Sequence, residues 1–553
     1  MIFRSECKDL PTPSTPFSET LLDALWKYGK KIALIDAETG QKVSNHDLYI
    51  QSLSVASFLE QKHFRHGDVA CAVMHNCLEY FPLFLGVALQ GGALSTASYS
   101  FTEYELEYQF KDSGSKMVFC NSVNFEKVFK AAHKCPKITC IVVVPDHKSE
   151  MNPLPFGVVQ FADVLDCQPK LNGHKVDVDI KRDILILPYS SGTTGSPKGV
   201  MLTHTNMACE ADILGTHLLD EVMKKIDPSY TYESDHDILF LPIYHIYGFC
   251  VLMANIVYGL TTVVMSHFNL ELYCKTIESY KARLLKLVPP VLVLLSKDPL
   301  IDRYDLSSVQ AMLSGAAPAG RELCEDVMKR LPNVLVVGQA YGMTELTAAS
   351  HALYYDARDL KFGSSGKLVS NMEMRIIDPQ TGKDLERNQR GEVCLRGGTV
   401  MVGYLNRPQA TAQTIDDEGW LHTGDVGYVD DDGYTFIVDR LKELIKVKGY
   451  QVPPAELEDL LLTHPSIKDC AVIGVPDEAS GEIPMAFVVR KDEAVNEKEV
   501  MDFVKERVSH YKQLKGGVQF IREIPKSPSG KILRRFLRDE AELIKKTVAK
   551  SKL

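Results

Sequence analysis

Short apolar, β-branched runs recur along the chain with longer amphipathic stretches between them: VACAVMH before LEYFPLFLGVALQGG, then CIVVV, ILILPY, DILFLPIY, TTVVMS, VQAMLSGA and VLVVGQAYG. A run that is apolar at consecutive positions is buried on both faces, as a strand is in a parallel sheet covered by crossover helices. The rhythm therefore predicts an α/β architecture. At 553 residues the chain exceeds what one core organises, so several domain-sized units are expected. From about Gly366 the texture changes: MEMRIID, GEVCLRG and GYTFIVD, with Gly-Asp punctuation, predict antiparallel strands and turns in a separate β-rich subdomain. Next comes VDRLKELIKVKGYQVPPAELE, with cations at 440, 442, 446 and 448, followed by helix-like and strand-like segments enough for a small α+β domain. The reading is a large N-terminal region over 1–438, holding two parallel-sheet α/β subdomains and the β-rich one, a hinge at 439–442 and a mobile C-terminal domain over 443–553.

Composition excludes several classes. A formal charge of −10 and a pI near 5.9 argue against a general affinity for nucleic acid or anionic membrane. No run reaches 18 uninterrupted apolar residues, so no spanning helix is expected. The 13 cysteines are scattered without a C-x-x-C pair, which points to free thiols in a reducing compartment. The last three residues, Ser551, Lys552 and Leu553, read as a peroxisomal address, implying an import receptor as partner and a place in the peroxisomal matrix.

The segment YSSGTTGSPKGV, residues 189 to 200, joins the strand ILILPY to the apolar VMLTH. Glycines let backbone N–H groups approach an anion, hydroxyls supply rotatable donors, and Lys198 adds a point charge, a combination suited to a polyphosphate. It is not a Walker A loop, because only two residues separate Gly192 from Gly195 and Pro197 stands before the lysine.

The string YSSGTTGSPKGVMLTH resembles the signature of adenylate-forming enzymes, the superfamily of acyl-CoA synthetases, 4-coumarate:CoA ligases and beetle luciferases. Further matches follow in that family's order: LPIYHIYGF, LSGAAP, GQAYGMTE, GWLHTGD, VDRLKELIKVKGYQV and PKSPSGKILRR, covering the chain from about residue 30 to 540. The resemblance implies ATP-dependent conversion of a carboxylic acid to an acyl-AMP, then transfer to coenzyme A, giving acyl-CoA, AMP and pyrophosphate. Joining two anions needs cations and aligned donors where charge develops.

By resemblance, Ser190, Ser191, Gly192, Thr193, Thr194 and Gly195 cradle the β- and γ-phosphates with Lys198 assisting. Thr344 contacts the α-phosphate and Glu345 holds Mg²⁺. Ala316, Ala317, Gln339 and Tyr341 wall the adenine, while Asp425 takes the ribose hydroxyls and Arg440 the ribose and phosphate edge. His245, which its aromatic flanks in LPIYHIYGF place at a strand end, lines the carboxylate pocket and gates the thiol route, and Tyr247, Gly248 and Ala340 border the acyl group. Lys531 bridges the acid and the α-phosphate during adenylation. Lys446, on the opposite end of the small domain, serves the second step, for which Lys448, Gly449 and Tyr450 border the pantetheine channel and Lys442 is the hinge.

Two positions depart from the common pattern: Ala316 stands where Gly is frequent, and Ala340 replaces Gly before Tyr341, each methyl narrowing the acyl pocket. The arginine that beetle luciferases carry ahead of the histidine motif is missing from residues 210 to 243. An acid:CoA ligase acting on a fatty or aryl-propenoic acid is thus the leading reading, with luciferase-like oxidation of an acyl-adenylate and a catalytically inactive nucleotide binder as alternatives.

Overall fold

The computed structural model describes residues 1–146, 155, 157–171, 176–190, 197–357, 360–441, 443–447, 450–477, 480–491, 494–526 and 532–551. They divide into two compact units, a larger one of 3–373 with 395–421 and a smaller one of 1–2, 374–394 and 422–553.

In the larger unit an eight-stranded sheet runs in the order Gly403–Tyr404, Lys198–Thr203, Ile184–Ser190, Ala93–Ala97, Val69–Val73, Met117–Asn121, Cys140–Val144, Val158–Gln160. From Ile184–Ser190 onward every pairing is parallel. Lys198–Thr203 returns antiparallel, because the connection 191–197 is far shorter than a parallel crossover requires. A second sheet pairs His236–Leu239, Thr261–Val264 and Ile32–Asp36 in parallel, with Lys42–Ser44 antiparallel at its edge. A third is wholly parallel, Leu284–Leu287, Ala311–Ser314 and Val336–Gln339. The buried runs read from the sequence are these strands.

Three strands end where a motif begins: Ser190, Ser314 and Gln339 each close a strand and open a loop. In open α/β sheets such carboxyl ends are where ligands bind. Local signals start the helices that follow. Thr203 caps Tyr-free His204–His217 by a reciprocal bond with Asn206. Pro289 and Pro290, which interrupt an apolar run, open the helix Pro289–Lys297 at positions that need no donor. One local expectation is corrected: DILFLPIY is strand only over His236–Leu239, and His245 does not end a strand but caps the helix Ile246–Tyr258, its Nδ1 accepting from Tyr247 N at 3.3 Å.

A five-stranded sheet, most of whose residues belong to the smaller unit, takes Ile2–Arg4, Met372–Ile377, Gly391–Gly397, Leu421–Val429 and Thr435–Arg440 in that order. A second is built on the long hairpin of Ile467–Asp477 and Gly481–Arg490, to which Val518–Phe520 adds in parallel. The helix Pro454–Leu462 carries Glu458, bonded by both oxygens to Arg534 Nη2 at 2.7 and 2.8 Å. Thr435–Arg440, which contains the sequence-read boundary at 438, lies entirely within this unit. No helix among the described residues is long and apolar enough to cross a membrane, and all 13 cysteines are free thiols.

Two buried histidines of the larger unit make its stability pH-dependent. His204 Nδ1 accepts from Phe17 N at 3.1 Å, so it must be unprotonated, and burial pushes the ring down to about 4; burial likewise pushes His351 down to about 3. Both folded values lie below the unfolded value near 6.5, so the unfolded chain takes up protons first as pH falls. Their contribution is complete above about 6.5 and declines below it. Lowering pH from 7 to 5 should remove about 2 kcal/mol through His204 alone, read by urea unfolding, and His204→Asn should flatten that decline. Identical pH profiles for variant and wild type would contradict the assignment.

Candidate active site

The described ends of the glycine-rich loop are held by side chains distant in sequence. Ser190 and Lys198 face each other across the antiparallel pair. Ser190 Oγ donates to Glu345 Oε1 at 3.0 Å, and Tyr404 Oη donates to the same oxygen at 2.8 Å. Lys198 Nζ stands 4.6 Å above the centre of the Tyr404 ring, a cation–π contact. Burial, reinforced by the Glu345 charge, raises the Tyr404 hydroxyl above its ordinary value, so it remains a donor.

A second brace comes from the helix Glu103–Ser113, whose Tyr108 and Asp112 share a face at i and i+4. Tyr108 Oη donates to Pro197 O at 3.1 Å, while Asp112 accepts from Tyr189 Oη and Arg407 Nη2, each at 2.8 Å. Sequence reading missed Tyr404, Asp112, Tyr108 and Arg407. Nothing local marks them, since they act by closing contacts across long stretches of chain. Ser191, Gly192, Thr193, Thr194 and Gly195 lie outside the described residues.

Glu345 is buried on the short 3₁₀ turn Thr344–Leu346, which follows the strand Tyr341–Met343. Beyond it Thr347 and Ala348 take φ of 59° and 133°, a left-handed path that costs non-glycine residues about 1–3 kcal/mol each. Packing holds it there: Met401 N donates to Glu345 O at 2.9 Å and Cys250 Sγ to Thr347 O at 3.0 Å. The same turn explains the glycine of YGMTE, because a Cβ on Gly342 would sit 1.5 Å from Ala348 O.

The loop after Ala311–Ser314 is fastened to Gln339, whose Oε1 accepts from Ala319 N at 2.8 Å and whose Nε2 donates to Ser364 O at 3.2 Å. Gln339 is therefore a structural anchor of the wall containing Ala316 and Ala317. Ala316 has φ of 69°, the region glycine adopts without cost. Ala316→Gly should stabilise the chain by about 0.5–1 kcal/mol in urea unfolding, since left-handed strain outweighs the added freedom of the unfolded glycine. A fall in stability would show that the methyl is used.

The Tyr247 ring lies against Gly315, where a Cβ would meet Cε1 at 3.0 Å. Gly248 admits the backbone of Leu241 and Pro242, a Cβ there lying 2.4 Å from Pro242 O. Tyr247, Lys286 and Leu313 also line a cavity of about 20 Å³, about one water in size. Tyr341 tilts against the buried His351, ring centres 5.7 Å apart, and Ala340 N donates to Ser314 O at 2.8 Å. The structure thus gathers Ser190, Lys198 and Glu345 in one place, and His245, Tyr247 and Gly248 at the start of one helix.

In the smaller unit Asp425 and Arg440 face each other across paired strands, Nε to Oδ1 at 3.3 Å. Asp439, beside Arg440, accepts from Ala455 N at 3.1 Å and is pushed up by burial. Glu443 pairs with Arg538. Lys446 is exposed, its backbone N donating to Glu482 Oε2 at 2.8 Å, and the exposed Tyr450 stacks on Tyr511 with centres 4.3 Å apart. Lys442, Lys448, Gly449, Lys531, Lys552 and Leu553 lie outside the described residues, and of Ser551 only the helical backbone is described.

A buried carboxylate ringed by hydroxyls at the root of a glycine-rich loop defines a nucleotide-handling class, and comparison with known proteins gives its family. The AMP-binding enzyme model matches residues 23–405 and the AMP-binding enzyme C-terminal domain model residues 456–531. The chain belongs to the AMP-binding enzyme family. It is 41% identical over 545 residues to 4-coumarate--CoA ligase 2 of Petroselinum crispum, covering 97% of this chain and 96% of that one. It is 40% identical over 551 residues to 4-coumarate--CoA ligase 3 of Oryza sativa subsp. japonica, covering 97% and 94%. Among solved structures it resembles the anthranilate CoA ligase AuaEII in complex with anthranoyl-AMP, with a TM-score of 0.84, 25% identity and coverage of 97% and 98%. ATP-bound MatB from Rhodopseudomonas palustris gives a TM-score of 0.83 at 26% identity, with 95% and 99% covered.

Proposed function

We propose that this chain is an acid–thiol ligase: it uses ATP to turn a carboxylic acid into an acyl-adenylate, then passes the acyl group to the thiol of coenzyme A. The observation that carries the reading is the convergence of the Ser190 and Tyr404 hydroxyls on Glu345, with Lys198 over the Tyr404 ring, at the base of the polyphosphate loop. Relatives that are CoA ligases along nearly the whole chain support it. A carboxylate resists attack because its carbonyl is shielded by delocalised charge and its leaving group is oxide; the mixed anhydride with AMP removes both obstacles.

Residues 190–195 and Lys198 hold the β- and γ-phosphates, which leave as pyrophosphate. The Glu345 carboxylate, beside the Ser190 and Tyr404 hydroxyls, is the kind of hard oxygen donor that Mg²⁺ takes; it would hold the cation, whose charge would offset that of the phosphates, while Thr344 contacts the α-phosphate. The adenine lies between the 314–318 wall and Tyr341, and Asp425 with Arg440 takes the ribose. The acid, aryl-propenoic or fatty, enters beside His245 and Tyr247, with Gly248 and Ala340 at its border. For the second step Lys446, Lys448, Gly449 and Tyr450 meet coenzyme A after the segment from 443 onward turns about 439–442. The separate family models on either side of that point support such a division.

The test offers purified protein a panel of aryl-propenoic, benzoic and fatty acids with ATP, Mg²⁺ and coenzyme A. Pyrophosphate exchange into ATP that depends on the acid, and thioester that depends on coenzyme A, are expected. ATP use indifferent to every acid would end the reading, and oxygen-dependent light or CO₂ with luciferin would favour the oxidative alternative. Peroxisomal delivery through Ser551, Lys552 and Leu553 belongs to the same proposal, tested by a fluorescent fusion with and without these residues.

A further inference from the structure

The smaller unit contains a second convergence of chemistry that the ligase reaction does not use. Glu392 and Cys394 alternate onto one face of the strand Gly391–Gly397, and His422 stands on the neighbouring strand Leu421–Val429. His422 Nδ1 lies 3.5 Å from Cys394 Sγ and 3.3 Å from Glu392 Oε2, and the three atoms all fall within 4.8 Å of one another.

We propose that Glu392, Cys394 and His422 bind a zinc-class divalent cation, at a site separate from Glu345. A single ring nitrogen has one proton or one lone pair to offer. A thiol and a carboxylate that both aim at it cannot each be served by a good hydrogen bond. A cation between the three serves all of them. Bonds of about 2.3 Å to sulfur and about 2.0–2.2 Å to nitrogen and oxygen, at tetrahedral angles, put ligand atoms about 3.6 Å apart for N to S and about 3.4 Å for N to O. The observed separations match both edges.

The donors are held in place from behind. Gly424 N donates to Glu392 Oε1 at 3.2 Å, and Thr423 Oγ1 donates to Val393 O at 2.7 Å, tying the two strands together. Cys394 is buried while the His422 side chain is 30% exposed, so the cation has a solvent-facing approach and an open fourth position. One thiolate with one imidazole and one carboxylate selects Zn²⁺ or Co²⁺ over Mg²⁺, which prefers oxygen alone. This proposal does not rest on the ligase reading.

The experiment titrates Co²⁺ into chelator-treated full-length protein under reducing conditions. One equivalent should bring a thiolate-to-cobalt charge-transfer band in the near ultraviolet, which cobalt at an oxygen site such as Glu345 cannot produce. Zn²⁺ should abolish the band and excess Mg²⁺ leave it. Cys394→Ser should lose it, and His422→Gln should weaken cobalt binding at least about 10-fold. Glu392→Gln, at a partly exposed position, carries the test if Cys394→Ser does not fold, and should weaken binding in the same direction. No band in wild type, or equal binding in the wild type, His422→Gln and Glu392→Gln, would overturn the site and leave a hydrogen-bonded cluster in its place.

Discussion

Glu345→Gln should lower acid-dependent pyrophosphate exchange by about 100-fold or more while leaving the protein folded. The substitution keeps the side chain's size and an oxygen able to accept from Ser190 and Tyr404, both bonded to Oε1 in the structure. Packing around the turn, from Met401 N and Cys250, is untouched. What changes is the negative charge that would hold Mg²⁺ at a water-poor site, and an electrostatic group aimed at developing phosphate charge, as that cation would be, contributes about 10²- to 10³-fold. The measurement is exchange rate against ATP and Mg²⁺ concentration beside a thermal unfolding curve. An unchanged transition with exchange at the wild-type rate would remove Glu345 from the metal-holding role.

Lys531→Ala should have an effect of similar size confined to one half-reaction. Its role is inferred from the PKSPSGK motif and the family, whose C-terminal model ends at residue 531. A cation bridging the acid and the α-phosphate stabilises the adenylation transition state, so exchange should fall by about 10²- to 10³-fold. Supplying synthetic acyl-adenylate with coenzyme A bypasses that step, and thioester formation should proceed at close to the wild-type rate. Lys446→Ala should show the opposite pattern. Equal losses in both half-reactions for both variants would defeat a division of labour between the two lysines and the turning of the segment that carries them.

Much of this protein was legible from local rules. The unbroken apolar runs became buried strands because burial on both faces leaves no room for alternation, and the glycine-rich loop was placed between two strands by its flanks alone. The structure adds local rules of the same kind: Thr203 with Asn206 caps one helix, and Pro289 opens another where no backbone donor is needed. His245 was misplaced as a strand end. Its flanking aromatics read as strand, but its ring caps a helix, a local choice settled by which backbone donors needed a partner.

The partners of Glu345 and of the loop were not legible. Tyr404 and Asp112 carry no motif, and they matter only because distant segments come within hydrogen-bonding distance of Glu345 and Tyr189 respectively. The same holds for Cys394 and His422, ordinary residues along the chain that meet only where two strands pair. Spacing along a chain encodes which bonds a backbone can satisfy with its neighbours. Which side chains from remote segments share a point in space depends on strand order and crossover, and those are set by the packing of the whole core.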